Sequence, residues 1–177
     1  MSETLPSTES ELTSVSAFYY TVAQYNIILE SGIKTEIIDK RDIFPIPHTP
    51  AWCRGMISLR GKLIPVVNLH HVLGDTEQGK SQWLLIIEKS PFPQLAISID
   101  QLPMQQAIND ESFKLLFEEP EESTRWLEAT ASVENKTFYK VNHSTLFEQL
   151  IQLNETSRGD FTERPPTHNP DSLGNDA

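Results

Sequence analysis

The chain has 177 residues, 38% of them hydrophobic and 22% charged, with a formal charge of −11. This is a globular mixture whose overall field repels phosphate backbones and anionic lipid heads, so no nucleic acid is expected as a partner. No apolar run reaches the length of a membrane span, which argues against direct membrane insertion, and the single cysteine, Cys53, excludes an internal disulfide and a thiolate metal cluster.

Met1 to Glu11 lacks the basic-then-apolar order of a signal peptide, so the cytoplasm is the expected location. Residues 1–14, rich in Ser, Thr and Glu, have too little to bury to offset the cost of ordering and read as a flexible tail. Short apolar blocks enriched in β-branched and aromatic residues then predict strands over Val15–Val22, Tyr25–Leu29 and Ile33–Ile38. Pro45, Pro47 and Pro50 cannot donate ladder hydrogen bonds, which makes Phe44–Ala51 an extended loop. Further strands are predicted at Gly55–Leu59, Leu63–Leu69, Trp83–Glu88, Leu95–Leu102, Leu127–Val133 and Thr137–Val141. Helices are expected at Asp110–Phe117, where Asp110 can cap free amides, and at Ser144–Leu153, with Leu146, Leu150 and Leu153 on one face. From Asn154 to Ala177 the composition turns polar around Arg164-Pro165-Pro166, so a disordered tail is expected and the folded domain spans 15–153. The regular strand spacing suggests an all-β barrel or sandwich.

Gly74-Asp-Thr-Glu-Gln-Gly79-Lys80-Ser81 matches the phosphate-cradling spacing G-x-x-x-x-G-K-[ST], the basis of an alternative reading as a P-loop-type nucleotide-binding enzyme. A cradle needs a helix beginning at the Lys-Ser pair, whereas Gln82–Ile87 reads as a strand. Asp75 and Glu77 would each oppose a phosphate, at about 3 kcal/mol per carboxylate ~6 Å away. A polar turn between strands is the favoured reading.

His70 and His71 are adjacent and would point to different sides, so they do not converge on a metal. His48, His143 and His168 fall in the proline loop, at a helix entrance and in the tail, and read as ordinary polar positions. Cys53 beside Trp52 reads as a small buried hydrophobe rather than a nucleophile. Glu118, Glu119, Glu121 and Glu122 around Pro120 read as a solvated loop able to bias partner choice. Nothing assembles a nucleophile, a base and an oxyanion site, so no catalytic residue, cofactor or metal is assigned and binding is the expected activity.

The stretch from Ile46 to Leu69 resembles the signature of the CheW family, roughly P-x-x-P-x-x-x-x-G-x-x-N-L-R-G-x-x-x-P-V-x-D-L. Pro47, Pro50, Gly55, Leu59, Arg60, Gly61, Pro65, Val66 and Leu69 fall in register. Glu36-Ile37, Leu84–Asp100 and Val141-Asn142 extend the likeness over about Val15 to Leu153. The resemblance implies two small five-stranded SH3-like β-barrel subdomains sharing a core, with short helical connectors and a C-terminal helix. It implies a non-enzymatic adaptor that joins the cytoplasmic tip of a chemoreceptor to the regulatory domain of a CheA-type histidine kinase, recruited to membrane-associated receptor arrays. Arg60, Glu36 and Gly55 would form the receptor-binding face, with kinase contact at the barrel ends. Ser58 stands where the family has Asn, Asn68 where it has Asp, Ala96 where glycine is frequent and Lys34 where an apolar residue is common. These departures resemble the adaptor of a type IV pilus, twitching-motility branch. An inhibitory competitor of the kinase regulatory domain is the other role the likeness allows.

Overall fold

The computed structural model describes residues 14–75, 81–118 and 125–159. Its strands are β1 (Ser14–Val22), β2 (Tyr25–Ile28), β3 (Lys34–Asp39), β4 (Cys53–Leu59), β5 (Lys62–Val67), β6 (Trp83–Glu88), β7 (Leu95–Ile99), β8 (Gln101–Asn109), β9 (Lys114–Leu115), β10 (Leu127–Val133) and β11 (Lys136–Val141). Helix α1 is a single turn, Leu69–Val72, and α2 runs from His143 to Gly159. The strands form a six-stranded sheet ordered β8-β1-β2-β11-β10-β9 and a five-stranded sheet ordered β3-β6-β7-β5-β4.

Both sheets are wired alike. In the five-stranded sheet the hairpins β4–β5 and β6–β7 are joined by parallel pairing of their second strands, with Val66 opposite Ala96. In the other sheet the hairpins β1–β2 and β10–β11 are joined in the same way, with Tyr139 opposite Ile27. Each unit then gains an outer strand from the far side of a crossover: β3 follows β2 but pairs with β6, and β8 follows β7 but pairs with β1.

Each sheet curls. The outermost strands β8 and β9 of the six-stranded sheet are separated in sequence only by residues 110–113. Five residue steps span at most about 18 Å, whereas the edges of a flat six-stranded sheet lie roughly 24 Å apart. In the five-stranded sheet, Arg60 after β4 bonds Glu36 on β3, although those strands end the order on opposite sides.

Curling gives three cores. Ile57, Leu59, Ile64, Val66, Leu84, Ile86 and Ala96 fill the five-stranded unit, while Tyr19, Ile108, Ala131 and Phe138 fill the six-stranded one. Between the sheets lies the largest cluster, including Tyr20, Val22, Ile27, Leu85, Ile87, Ile97 and Trp126, capped by Leu146, Phe147 and Leu150 of α2. Alternate residues of β6 and β7 thus face different cores, which explains their unbroken apolar runs. The all-β fold of two small sheet units around a shared core agrees with the expectation, with the two-residue β9 as a sixth strand in one unit.

Four local expectations are corrected. The block Leu95–Leu102 is two strands meeting at Asp100, and β8 continues to Asn109. The helix expected over Asp110–Phe117 is one 3-10 turn, Asp110–Ser112, capped by Asn109 rather than Asp110: the Asn109 side chain accepts the Glu111 amide at 3.0 Å. Lys114-Leu115 instead pairs with Ala129 and Thr130 of β10. The strand expected to reach Leu69 stops at Val67, and α1 begins at Leu69. Helix α2 starts under Asn142, whose side chain accepts the Thr145 amide at 3.0 Å, and it continues past Leu153 to Gly159. The remainder of both expected tails lies outside the described residues.

Candidate functional site

The β4–β5 hairpin closes on Arg60 and Gly61, with φ of 50° and 77°. Both are left-handed, the geometry that matches the twist of paired strands in a two-residue turn. Glu36 lies opposite Ile86 on β3, at the mouth of the five-stranded unit. The Arg60 guanidinium donates two bonds to its carboxylate, Nη1 to Oε2 at 2.8 Å and Nη2 to Oε1 at 2.6 Å. This bidentate pair fixes the plane of a side chain that stays 73% exposed, so the guanidinium is held in place with most of its surface facing water.

Gly55 is the third residue of the expected face. It has φ of 130°, follows a β-bulge, and any Cβ there would overlap the Phe44 carbonyl. Phe44 and Met56 exchange backbone bonds of 2.8 and 2.9 Å across this contact, so glycine is needed for the loop after β3 to close onto β4. Gly55 itself is buried and shapes the face from beneath. Ile37 on β3, Phe44 in the loop after it and Leu63 on β5 are each exposed large apolar residues.

His143, read as an ordinary polar position, and His70, read only as not converging with His71 on a metal, are both buried polar hubs. His143, fully buried, donates its backbone N–H and places Nδ1 against Glu30 Oε2, each at 2.8 Å, while Nε2 lies 3.3 Å from the Tyr20 hydroxyl. Lys89 donates to both Glu30 oxygens at 2.8 Å. The His143 side chain, helped by Lys89 and by the His143 amide, holds the Glu30 carboxyl down at about 2 despite its partial burial. Burial, reinforced by the Glu30 charge, pushes the Tyr20 hydroxyl well above its ordinary value. His70 lies between Asp75 and Asp100, at 3.0 and 3.2 Å from its two ring nitrogens. The proximity of Asp75 in sequence was a usable signal for His70; the partners of His143 were too distant in the chain to provide one.

Cys53 is half-buried, with Sγ 3.7 Å from the Gly55 carbonyl. Among the described residues there is no group of three or more His, Cys, Asp or Glu side chains placed to hold a metal, and no helix long and apolar enough to cross a membrane. Residues 76–80 of the phosphate-loop spacing, 119–124 of the acidic loop and His168 lie outside the described residues.

Two curled, interlaced sheets thus present an arginine–glutamate pair at a hairpin tip. The CheW-like domain pattern matches residues 34–150, and the chain belongs to that family. It is 32% identical over 66 residues to the chemotaxis protein CheW of Thermotoga maritima, covering 37% of this chain and 44% of that one. It is 33% identical over 85 residues to the chemotaxis protein CheW of Treponema pallidum, covering 45% and 49%. The chain thus spans about half the length of the curated relatives it matches. The crystal structure of the scaffolding protein TtCheW from Thermoanaerobacter tengcongensis shares the fold, with a TM-score of 0.62 and 22% identity over 78% of this chain and 90% of that chain.

Proposed function

We propose that the protein is a non-enzymatic adaptor that couples the cytoplasmic tip of a chemoreceptor to the regulatory domain of a CheA-type histidine kinase. The observation that carries this reading is the Arg60–Glu36 pair, a preorganised, exposed guanidinium within the segment that matches the family pattern. Arg60 and Glu36 form the receptor face, which the buried Gly55 shapes from beneath, and the kinase domain takes the ends of the sheet units. A charge-assisted bond from Arg60 to the receptor contributes ~1.5–3 kcal/mol, a large share of one weak contact, and repetition across an array adds avidity. Membership of the family and the names of the relatives support this role, a cytoplasmic location and recruitment to receptor arrays. A domain of residues 15–153 flanked by tails is part of the same proposal, as is the pilus-based twitching-motility branch, which rests on Lys34, Ser58, Asn68 and Ala96.

The test is titration calorimetry of the whole chain against a receptor tip fragment and, separately, against the kinase regulatory domain. Arg60→Glu is expected to weaken receptor binding at least tenfold while leaving kinase binding and the circular dichroism spectrum unchanged. Unaltered receptor affinity in a folded variant would remove Arg60 from the interface. Kinase binding that displaces receptor would favour the inhibitory competitor. The nucleotide-binding reading loses support from β6, a strand where the phosphate cradle needs a helix; micromolar ATP binding that disappears in Lys80→Ala would restore it.

A further inference from the structure

His70 belongs to the one-turn helix α1, and its side chain is only 3% exposed. Nδ1 lies 3.0 Å from Asp75 Oδ2 and Nε2 lies 3.2 Å from Asp100 Oδ1. An ionised carboxylate only accepts hydrogen bonds, so two such bonds require a hydrogen on each ring nitrogen, which is the imidazolium form. Asp100 also accepts the Ala23 amide on Oδ2 at 2.7 Å, and its own amide donates to the Thr21 carbonyl at 3.0 Å.

These contacts join parts of the chain that belong to different sheets. Asp100 is the crossover residue between β7 of the five-stranded sheet and β8 of the six-stranded sheet, and Ala23 is in the β1–β2 turn. Asp75 belongs to the loop leaving α1, tied back by its amide to the His70 carbonyl at 2.9 Å. A cavity of about 480 Å³ opens over this junction, lined by residues that include Ala23, Gln24, Tyr25, Leu73 and Gly74. Among the described residues the charged groups facing the ring are Asp75 and Asp100; Tyr25 at the start of β2 lines the same cavity, and His71 is exposed.

We propose that a doubly protonated His70 is a charged brace that couples the two sheets, clamping the loop after α1 to the crossover at Asp100 and, through Asp100, to the β1–β2 turn. Loss of one ring hydrogen breaks one of the two bonds and uncouples the loop from the crossover. The brace lies outside the Arg60 face and ties the two sheet units to each other.

The test uses the full chain labelled with nitrogen-15. At pH 7 both ring nitrogens of His70 are expected to show the chemical shifts of a protonated imidazolium, and a neutral-ring pattern would overturn the proposal. Asp75→Asn keeps an acceptor oxygen at a partly exposed position and removes the charge. It is expected to give the neutral-ring pattern and to speed hydrogen exchange about tenfold at the amides of Gly74 and position 75. It is also expected to speed exchange at least threefold at the Ala23 amide on the other side of the ring. Faster exchange confined to Gly74 and position 75 would reduce His70 to a local contact and remove the coupling.

Discussion

The two sheets share one wiring plan, two hairpins joined by a parallel pair plus an outer strand, yet their inner strands differ in how far they are buried. In the five-stranded sheet, all five residues of β7 and four of the six in β6 are buried, because one face fills the curl and the other meets the shared core. In the six-stranded sheet the inner strands β2, β11 and β10 bury only one of four, two of six and two of seven residues. Topology therefore does not dictate composition here. The number of covered faces does.

The most severe way to break this comparison is to express only the stretch that matches the family pattern, residues 34–150. It begins at β3 and lacks β1 and β2, the strands that link β8 to β11. This fragment is expected to show no cooperative unfolding transition by circular dichroism, whereas the chain from Ser14 onward should show one.

Next in size are matched truncations at equivalent positions. Ile27 on β2 and Ile97 on β7 each lie in a parallel pair and each is fully buried in the shared core. Ile27→Ala and Ile97→Ala should each cost about 3–4 kcal/mol in urea unfolding, with a single transition in both cases. Two separated transitions would mean that the sheets are independent units. Gly55→Ala should cost about 2–3 kcal/mol, because the backbone of the five-stranded sheet must open near Phe44 to admit the methyl group.

The smallest effect concerns the polar hub under the six-stranded sheet. The Glu30 carboxyl is held at about 2 against an ordinary 4.5, so the unfolded chain binds the proton first as acid is added. The contribution of Glu30 is complete above about pH 4.5 and is lost as the pH falls toward 2. Glu30→Gln should lower stability at pH 7 by roughly 1–2 kcal/mol and flatten the acid limb of a plot of stability against pH in this interval.

Most strands were legible because β-branched and aromatic residues cluster where two faces are covered. β6 and β10 agree with the expected bounds at both ends. β8 was not legible beyond its start: Gln101, Pro103, Gln105 and Gln106 give no apolar alternation, and as an outer strand it needs none. α1 is too short to show a helical period. The Asp110 segment carried a capping signal without an apolar face to sustain a helix. At the candidate site, the turn at Arg60-Gly61 was legible from glycine, but the clasp on Glu36 depends on the curling of the sheet, which no local pattern encodes. The buried state of His143 depends on Glu30, 113 residues away in sequence.

That same separation has a consequence for synthesis on the ribosome. At about 5–20 residues per second, Glu30 emerges roughly 6–23 s before the histidine that completes its hub. The first hairpin, with Tyr20, Val22 and Ile27, therefore spends that whole interval without the closing helix, and most of it without the outer strand β8 or the parallel partner β11. Translation speed, more than the intrinsic rate of any single hairpin, sets how long these apolar side chains stay in water before the last helix covers them.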